Sequence, residues 1–488
     1  MVSELAYLDF DLQIIGTEGN YSTQVLASPG GQAQTRFNSP FDDKELEIFY
    51  LRIGRPRRGV RSLDSVEMET ARHYGGRLFK AVFDEEIYAC YRSSLIAAEK
   101  EGKGLRIRLH EASPELCDLP WEYLYNQSIG RFLALSTETP LVRYLDLPHP
   151  PQVLSVTPPL KMLVMIARPH HVESLDSEVE WTRLQKALEP LIQQGLLIVE
   201  RVESATLSAL QHAQRRGGFH IFHFIGHGDY DERAEDGVLL LEDENGNPRP
   251  WTGKDLGAVL EWRNLRLMVL NACEGARTSH RDPFAGVARS LVQQGLTAVI
   301  AMQFEITDQA AITFAHEFYL ALADGYPVDA ALVEARRAIF AQGNDIEWGT
   351  PVYFTRAPDG RIFDIQPSQD LPVLPHQTPA QPAEPLAVHT QVAQPATPVT
   401  KEAQKQAEKF YEDGLSAIYL GDLGRAEELL QKTLVIQPDH PTASDKLEQV
   451  KAQLKLADRY QQAQACIEQQ VWVGAYKLLE PLVEEAPK

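Results

Sequence analysis

Two stretches decide the fold: Phe219-His220-Ile221-Phe222-His223-Phe224-Ile225-Gly226-His227-Gly228, and Leu265-Arg266-Leu267-Met268-Val269-Leu270-Asn271-Ala272-Cys273-Glu274-Gly275. Both share one plan. A short apolar run, too short for a helix and without strict alternation, ends in small and polar residues. Such a run reads as a strand buried on both faces. Each is followed by a reactive side chain, His227 in the first and Cys273 in the second.

Working outward, Leu160–Ala167, Leu196–Val202, Leu296–Met302 and Pro351–Thr355 have the same strand character. Helical periodicity separates them, over Val179–Leu191, Thr206–Arg216, Phe284–Gln294, Asp308–Ala323 and Val328–Phe340. Strands alternating with amphipathic helices predict an α/β fold, a mostly parallel sheet with helices on both faces. Val238–Glu242 and the Asn245-Gly246-Asn247 turn predict a hairpin excursion, and Gly253–Leu260 a crossover helix. In such sheets ligands bind beyond the carboxyl ends of the strands. His227 and Cys273 both fall there.

The first residues read differently. Alternation in Ala6–Ile14 and Tyr21–Leu26 predicts strands, and Leu105–His110 another. Ser65–Lys100 is helical by pattern, with a break expected at Gly75-Gly76. From Gln366 to Thr400 there are eight prolines and no glycine, which predicts a semi-rigid linker. After it, Gly414, Ala426 and Pro438 recur at intervals of twelve, with Phe410 and Leu430 on apolar positions; Ala463, Ala475 and Pro487 repeat the spacing. That spacing resembles tetratricopeptide repeats, whose small residues let paired helices approach. The expected organisation is a mixed, β-rich α+β module over 1–115, a domain over 116–365 with its core at 160–355, a Pro-rich linker over 366–400, and an all-α helical tail over 401–488.

The 488 residues carry 47 Lys+Arg against 68 Asp+Glu, a net charge of −21. This acid excess argues against nucleic acid as a direct partner, since phosphate binding needs a basic footprint. The four cysteines are far apart, with no CxxC pair, so neither a disulfide framework nor a zinc ribbon is expected. No signal segment is visible, no apolar run approaches the length of a membrane span, and a cytoplasmic location without membrane contact is expected.

The chemistry of the two reactive residues is that of a thiol beside an imidazole. A thiol of pKa ~8.5 is mostly protonated at neutral pH, and the thiolate is the nucleophile. An imidazole can take that proton and later give it to a leaving amine. Such a pair needs no metal and no cofactor. The residues alone leave two readings open: a catalytic pair, or a buried structural thiol and a turn histidine. An arginine six residues after Cys273, as a cysteine phosphatase needs, is absent, because position 279 is Ser279. Neither a P-loop nor a GxSxG elbow occurs. A metal site from His220, His223 and His227 is disfavoured, because alternation sends His220 to the face opposite His223, which reads as a core histidine.

The strand into Gly226-His227-Gly228 and the strand into Asn271-Ala272-Cys273-Glu274-Gly275 together resemble the CHAT family, caspase-like cysteine peptidases related to separase and often joined to tetratricopeptide repeats. Leu119-Pro120-Trp121-Glu122-Tyr123-Leu124, Thr139–Tyr144, Phe284-Ala285-Gly286, Ala301-Met302-Gln303 and Trp348-Gly349-Thr350-Pro351 extend the resemblance over roughly 116–364. The resemblance implies Cys273 as nucleophile and His227 as general base, then acid. It implies an oxyanion hole from the backbone N–H groups of Gly228 and Cys273. Asp229, Asn271, Glu305 and Asp308 are candidates for a specificity pocket, and Phe304 for its lining. The implied function is endoproteolysis of a specific protein partner, such as a gasdermin-like effector, in prokaryotic defence or stress, with the repeat tail docking a partner or regulator. The alternative is a scaffold that keeps the fold without the chemistry.

Overall fold

The structure is a computed structural model of the chain. It describes residues 5–17, 20–53, 65–111, 116, 119–170, 177–231, 233, 236–260, 263–272, 283–304, 306–343 and 346–366, and in the tail 407, 410–411, 423–437, 443–444, 447 and 450–451. The chain divides into two compact units, Met1–Leu374 and Pro375–Lys488.

In chain order the first unit runs β1 (Tyr7–Thr17), β2 (Asn20–Ala27), β3 (Gln34–Asn38), α1 (Asp43–Ile53), α2 (Val66–Val82), α3 (Glu85–Lys100), β4 (Gly104–Glu111), β5 (Tyr125–Asn126), β6 (Arg131–Phe132), β7 (Leu141–Tyr144) and β8 (Leu154–Val156). There follow β9 (Leu160–Ile166), α4 (Ser177–Gln193), β10 (Leu197–Arg201), α5 (Leu207–Gly217), β11 (Ile221–Gly226), β12 (Gly228–Asp231), β13 (Asp236–Glu242), β14 (Pro248–Thr252), α6 (Gly253–Val259) and β15 (Leu267–Ala272). The last are α7 (Pro283–Gln293), β16 (Ala298–Met302), α8 (Asp308–Ala323), α9 (Val328–Ala341), β17 (Pro351–Thr355) and β18 (Phe363–Ile365).

Eleven strands form one sheet in the order β10-β9-β11-β15-β16-β17-β7-β4-β1-β2-β3. The four neighbours β10, β9, β11 and β15, and then β16, are all parallel; β17 is antiparallel to β16. The expected α/β class and mostly parallel sheet are what the chain adopts. Chain order fixes where the helices lie. The step from β9 to β10 runs one way along the sheet, and the steps to β11, β15 and β16 run the other way. Right-handed crossovers therefore put α4 on one face and α5, α6 and α7 on the opposite face. Contacts agree: Gln211 Nε2 on α5 donates to the Val259 carbonyl of α6 at 3.2 Å. On the other face His316 of α8 meets the Ala187 carbonyl of α4 at 3.0 Å.

The described strands of residues 1–115 lie in the same eleven-stranded sheet as the later ones. β1 pairs with β4, and β4 with β7, so the strands before residue 115 extend the sheet that carries the later ones. A buried cluster stitches the join. Arg106 of β4 donates through Nε to Asp329 of α9 (2.5 Å) and through Nη2 to the Asp359 carbonyl (2.6 Å), and pairs with Asp9 of β1 at 3.2 Å.

The break expected at Gly75-Gly76 is absent: α2 runs through it and ends at Phe83, where Asp84 caps α3 by accepting from the Ile87 N–H at 3.1 Å. The glycines serve packing instead. A Cβ on Gly75 would lie 1.7 Å from the Tyr123 carbonyl oxygen, so only glycine lets α2 press on the turn Trp121–Tyr123.

In the second unit the structure describes α10 (Leu423–Ile436) and a small apolar cluster of Leu430, Ala443, Leu447 and Val450, with Tyr411, Leu429 and Leu434 against it. Gly414, Pro438, Ala463, Ala475 and Pro487, which carry the repeat spacing, lie outside the described residues, as does the linker after residue 366. Among the described residues no helix is long and apolar enough to cross a membrane.

Candidate active site

β11 is buried at every residue, and its register against β15 runs from Ile221↔Leu267 to Gly226↔Ala272. The last paired residues are therefore the ones immediately before His227 and Cys273. His227 itself is 2% exposed. Cys273 lies outside the described residues, as do Glu274, Gly275 and Glu305.

The residues around His227 are held on three sides. Its carbonyl accepts from the Leu240 N–H at 3.0 Å. Gly228 faces Leu239 across the β12–β13 ladder. Because the Leu240 bond falls one residue to the side, Gly228–Leu239 is a non-hydrogen-bonded pair of that ladder, which does not engage the Gly228 N–H. On the β9 side the Ala167 N–H continues the pairing by donating to the Ile225 carbonyl at 2.9 Å. The next residues zip to the hairpin: Arg168 N–H donates to Glu242 (2.7 Å), and His170 N–H to the Gly246 carbonyl (2.7 Å). Gly246 takes φ +79°, and a Cβ there would meet His170 Nε2 at 2.6 Å.

The two glycines beside His227 have packing reasons of their own. A Cβ on Gly226 would fall 2.7 Å from the Phe224 ring, and one on Gly228 2.8 Å from the Phe284 ring of α7. What approaches them in the structure is aromatic rings of the same chain.

Of the pocket candidates, Asp229 is half-buried on β12, and its Oδ1 accepts from the Tyr230 N–H at 2.8 Å. Asn271 sits in β15 opposite Ile225 with its Oδ1 buried. Asp308 opens α8, is 53% exposed and pairs with Arg183 of α4 at 2.6 Å. Phe304 is buried at 3% exposure with its ring 6.0 Å from that of Tyr50.

The other histidines of the first stretch are engaged elsewhere. His220 precedes β11 and its Nδ1 accepts from the Lys161 N–H at 3.0 Å. His223 is buried, with Nδ1 2.7 Å from the Tyr319 hydroxyl of α8. Burial pushes His223 down to about 4, and burial together with Lys161 and Arg266 does the same to His220. Among the described residues no group of three or more His, Cys, Asp or Glu could hold a metal ion. His223 has a measurable consequence. Its folded pKa lies below the unfolded value near 6.5, so the unfolded chain binds the proton first. Stability from this group is intact above pH 6.5 and is lost as pH falls towards 4. The wild type is expected to lose about 2 kcal/mol more than His223→Gln between pH 7 and pH 5 in urea unfolding. Equal losses in the two proteins would refute the buried neutral imidazole.

Glu122 and Arg143 lie inside two of the segments that carry the family resemblance. In the structure they are partners. Arg143 donates to both Glu122 oxygens, from Nε at 3.2 Å and from Nη2 at 2.8 Å, and both side chains are nearly fully buried. A charge in the middle of Leu119–Leu124, and another in Leu141–Tyr144, was the available signal.

The CHAT domain matches residues 73–359. The chain belongs to the CHAT family. The match spans α2 to the residues just after β17, and so takes in strands on both sides of residue 115. No curated protein matches this CHAT chain. Among solved structures it is similar to separase in the Saccharomyces cerevisiae separase–securin complex, with 11% identity and a TM-score of 0.42 over 72% of this chain and 30% of that one. It is also similar to the Arg-specific cysteine proteinase gingipain R, with 10% identity and a TM-score of 0.34 over 66% of this chain and 74% of that one. A complex of the Porphyromonas gingivalis gingipain pro- and mature domains gives 10% identity and a TM-score of 0.33 over 66% and 76%. The CHAT chain thus spans less than a third of the separase chain's length.

Proposed function

We propose that this CHAT chain is a cysteine endopeptidase whose catalytic pair is His227 and Cys273. The observation that carries the reading is the register Gly226↔Ala272, which ends two adjacent parallel strands immediately before the two reactive residues. In the proposed reaction the Cys273 thiol gives its proton to His227, and the thiolate adds to the scissile carbonyl. The N–H groups of Gly228 and Cys273 receive the oxyanion. The non-hydrogen-bonded pairing of Gly228 with Leu239 supports that role. His227 then protonates the departing amine, leaving a thioester, and deprotonates the water that hydrolyses it.

Asp229 is the strongest of the pocket candidates, because it is half-buried and one residue from Gly228. Asp308 is taken by Arg183, which weakens it. Asn271 and Glu305 complete the proposed set. The tail is proposed to be tetratricopeptide repeats that dock a protein partner or regulator. A cytoplasmic defence or stress role, with a gasdermin-like or other effector protein as substrate, is proposed from the family resemblance. The experiment is a proteome-wide comparison of cleavage by the wild type and Cys273→Ala. New termini that depend on Cys273 support the peptidase; identical patterns leave the scaffold.

A further inference from the structure

We infer that Glu122 and Glu347 are positioning residues for this site, clamping the two ends of the segment that follows β16. The inference rests on the cysteine-peptidase reading above. β11, β15 and β16 are parallel neighbours, so their carboxyl ends share one edge of the sheet. Two strand spacings put the exit of β16 about 10 Å from that of β11, which leads into His227.

The segment Gln303–Thr307 leaves from that exit. At its start, Gln303 Nε2 donates to Glu122 Oε2 at 2.9 Å, and the Gln303 N–H donates to the Thr350 carbonyl at 3.0 Å. At its end, the N–H and hydroxyl of Thr307 donate to Glu347 Oε2 at 3.2 and 2.7 Å. Thr307 is also the N-cap of α8. The two carboxylates are 1% and 4% exposed. They sit on separate single turns, Trp121–Tyr123 and Glu347–Gly349, which are packed together through the rings of Tyr123 and Trp348, 5.1 Å apart. Arg143 locks Glu122 from behind.

Burying a carboxylate is unfavourable unless its oxygens are hydrogen-bonded. Both carboxylates direct acceptor oxygens at this one short segment. Helix capping alone would need neither Glu122 nor Gln303. What the pair achieves together is a segment fixed at both ends beside the strand ends that carry the reactive residues, with position 305 between the clamps in sequence. The clamped residues on either side of position 305 contribute to substrate binding and leave the chemistry of the thiol to His227.

The test uses the full chain. Cut sequences are first mapped in a proteome-derived peptide digest, and a dye-quenched peptide of the preferred sequence then serves as the probe. The variants are Glu347→Gln and Gln303→Leu. The second removes the Glu122 contact without leaving Arg143 short of its carboxylate, as Glu122→Gln would. Each is expected to raise KM about tenfold with kcat within about twofold, the pattern of lost substrate binding. The rate of Cys273 alkylation by iodoacetamide and the Tm are expected to stay near wild type, and Thr307→Ser to behave as wild type. An unchanged KM, or a KM that moves only together with alkylation and Tm, overturns the inference alone. Absence of cutting by the wild type, or cutting that survives Cys273→Ala, overturns the peptidase reading and the inference with it.

Discussion

Cys273→Ala is expected to lower proteolysis by about 10⁴-fold or more, because losing a nucleophile removes the covalent pathway rather than one contact. The fold is expected to survive. β11 and β15 are anchored through Ile221–Gly226 and Leu267–Ala272, upstream of the substituted position, and their pairing uses the backbone. The measurement is appearance of new protein termini together with a thermal melt. Cleavage lost at an unchanged Tm is the expected result. Cleavage retained would return Cys273 to the structural-thiol reading, and with it the scaffold.

Asp329→Ala is expected to have the largest effect on stability. Asp329 has no exposed side-chain surface, and Arg106 keeps 5%. Removing the carboxylate leaves a buried guanidinium whose remaining ion-pair partner among the described residues is the partly exposed Asp9. Breaking a buried pair from one side costs about 3 kcal/mol or more, which in a domain of this size lowers Tm by about 5 °C. The loss is expected to reach both halves of the sheet, because Arg106 joins β1 and β4 to α9. Hydrogen exchange is expected to accelerate in β1 and in β17 alike. Acceleration confined to residues before 115 would mean that those strands unfold separately from the rest of the sheet, and an unchanged Tm would mean that Arg106 finds other compensation.

Much of the central sheet was legible because buried parallel strands have a strong signature. Six predominantly apolar runs between 160 and 355 became β9, β10, β11, β15, β16 and β17, with ends shifted by at most two residues. The helix Asp308–Ala323 has the bounds that its periodicity predicts, and the structure adds Thr307 as its N-cap. What the sequence hid are pairings between distant residues. Arg106 and Asp329 are separated by 223 positions, and nothing local in either segment names the other. The same holds for Gln303 with Glu122, 181 apart. Gly75-Gly76 misled because glycine was read by its helix propensity, whereas here the missing Cβ makes room for the Tyr123 carbonyl. At Gly226 and Gly228 too the missing Cβ makes room, there for the rings of Phe224 and Phe284. His227 stands out in the sequence as a polar residue at the end of a buried strand, and the structure adds that this strand ends in register with the residue before Cys273.

His227 is expected to control the reactivity of Cys273. The direct measurement is the pH profile of Cys273 alkylation by iodoacetamide, read by mass spectrometry on the peptide that contains it, in the wild type and in His227→Ala. An imidazole paired with the thiol is expected to hold its titration well below the free-thiol value of ~8.5, and the variant is expected to return to that value. Superimposable profiles in the two proteins would contradict the pairing.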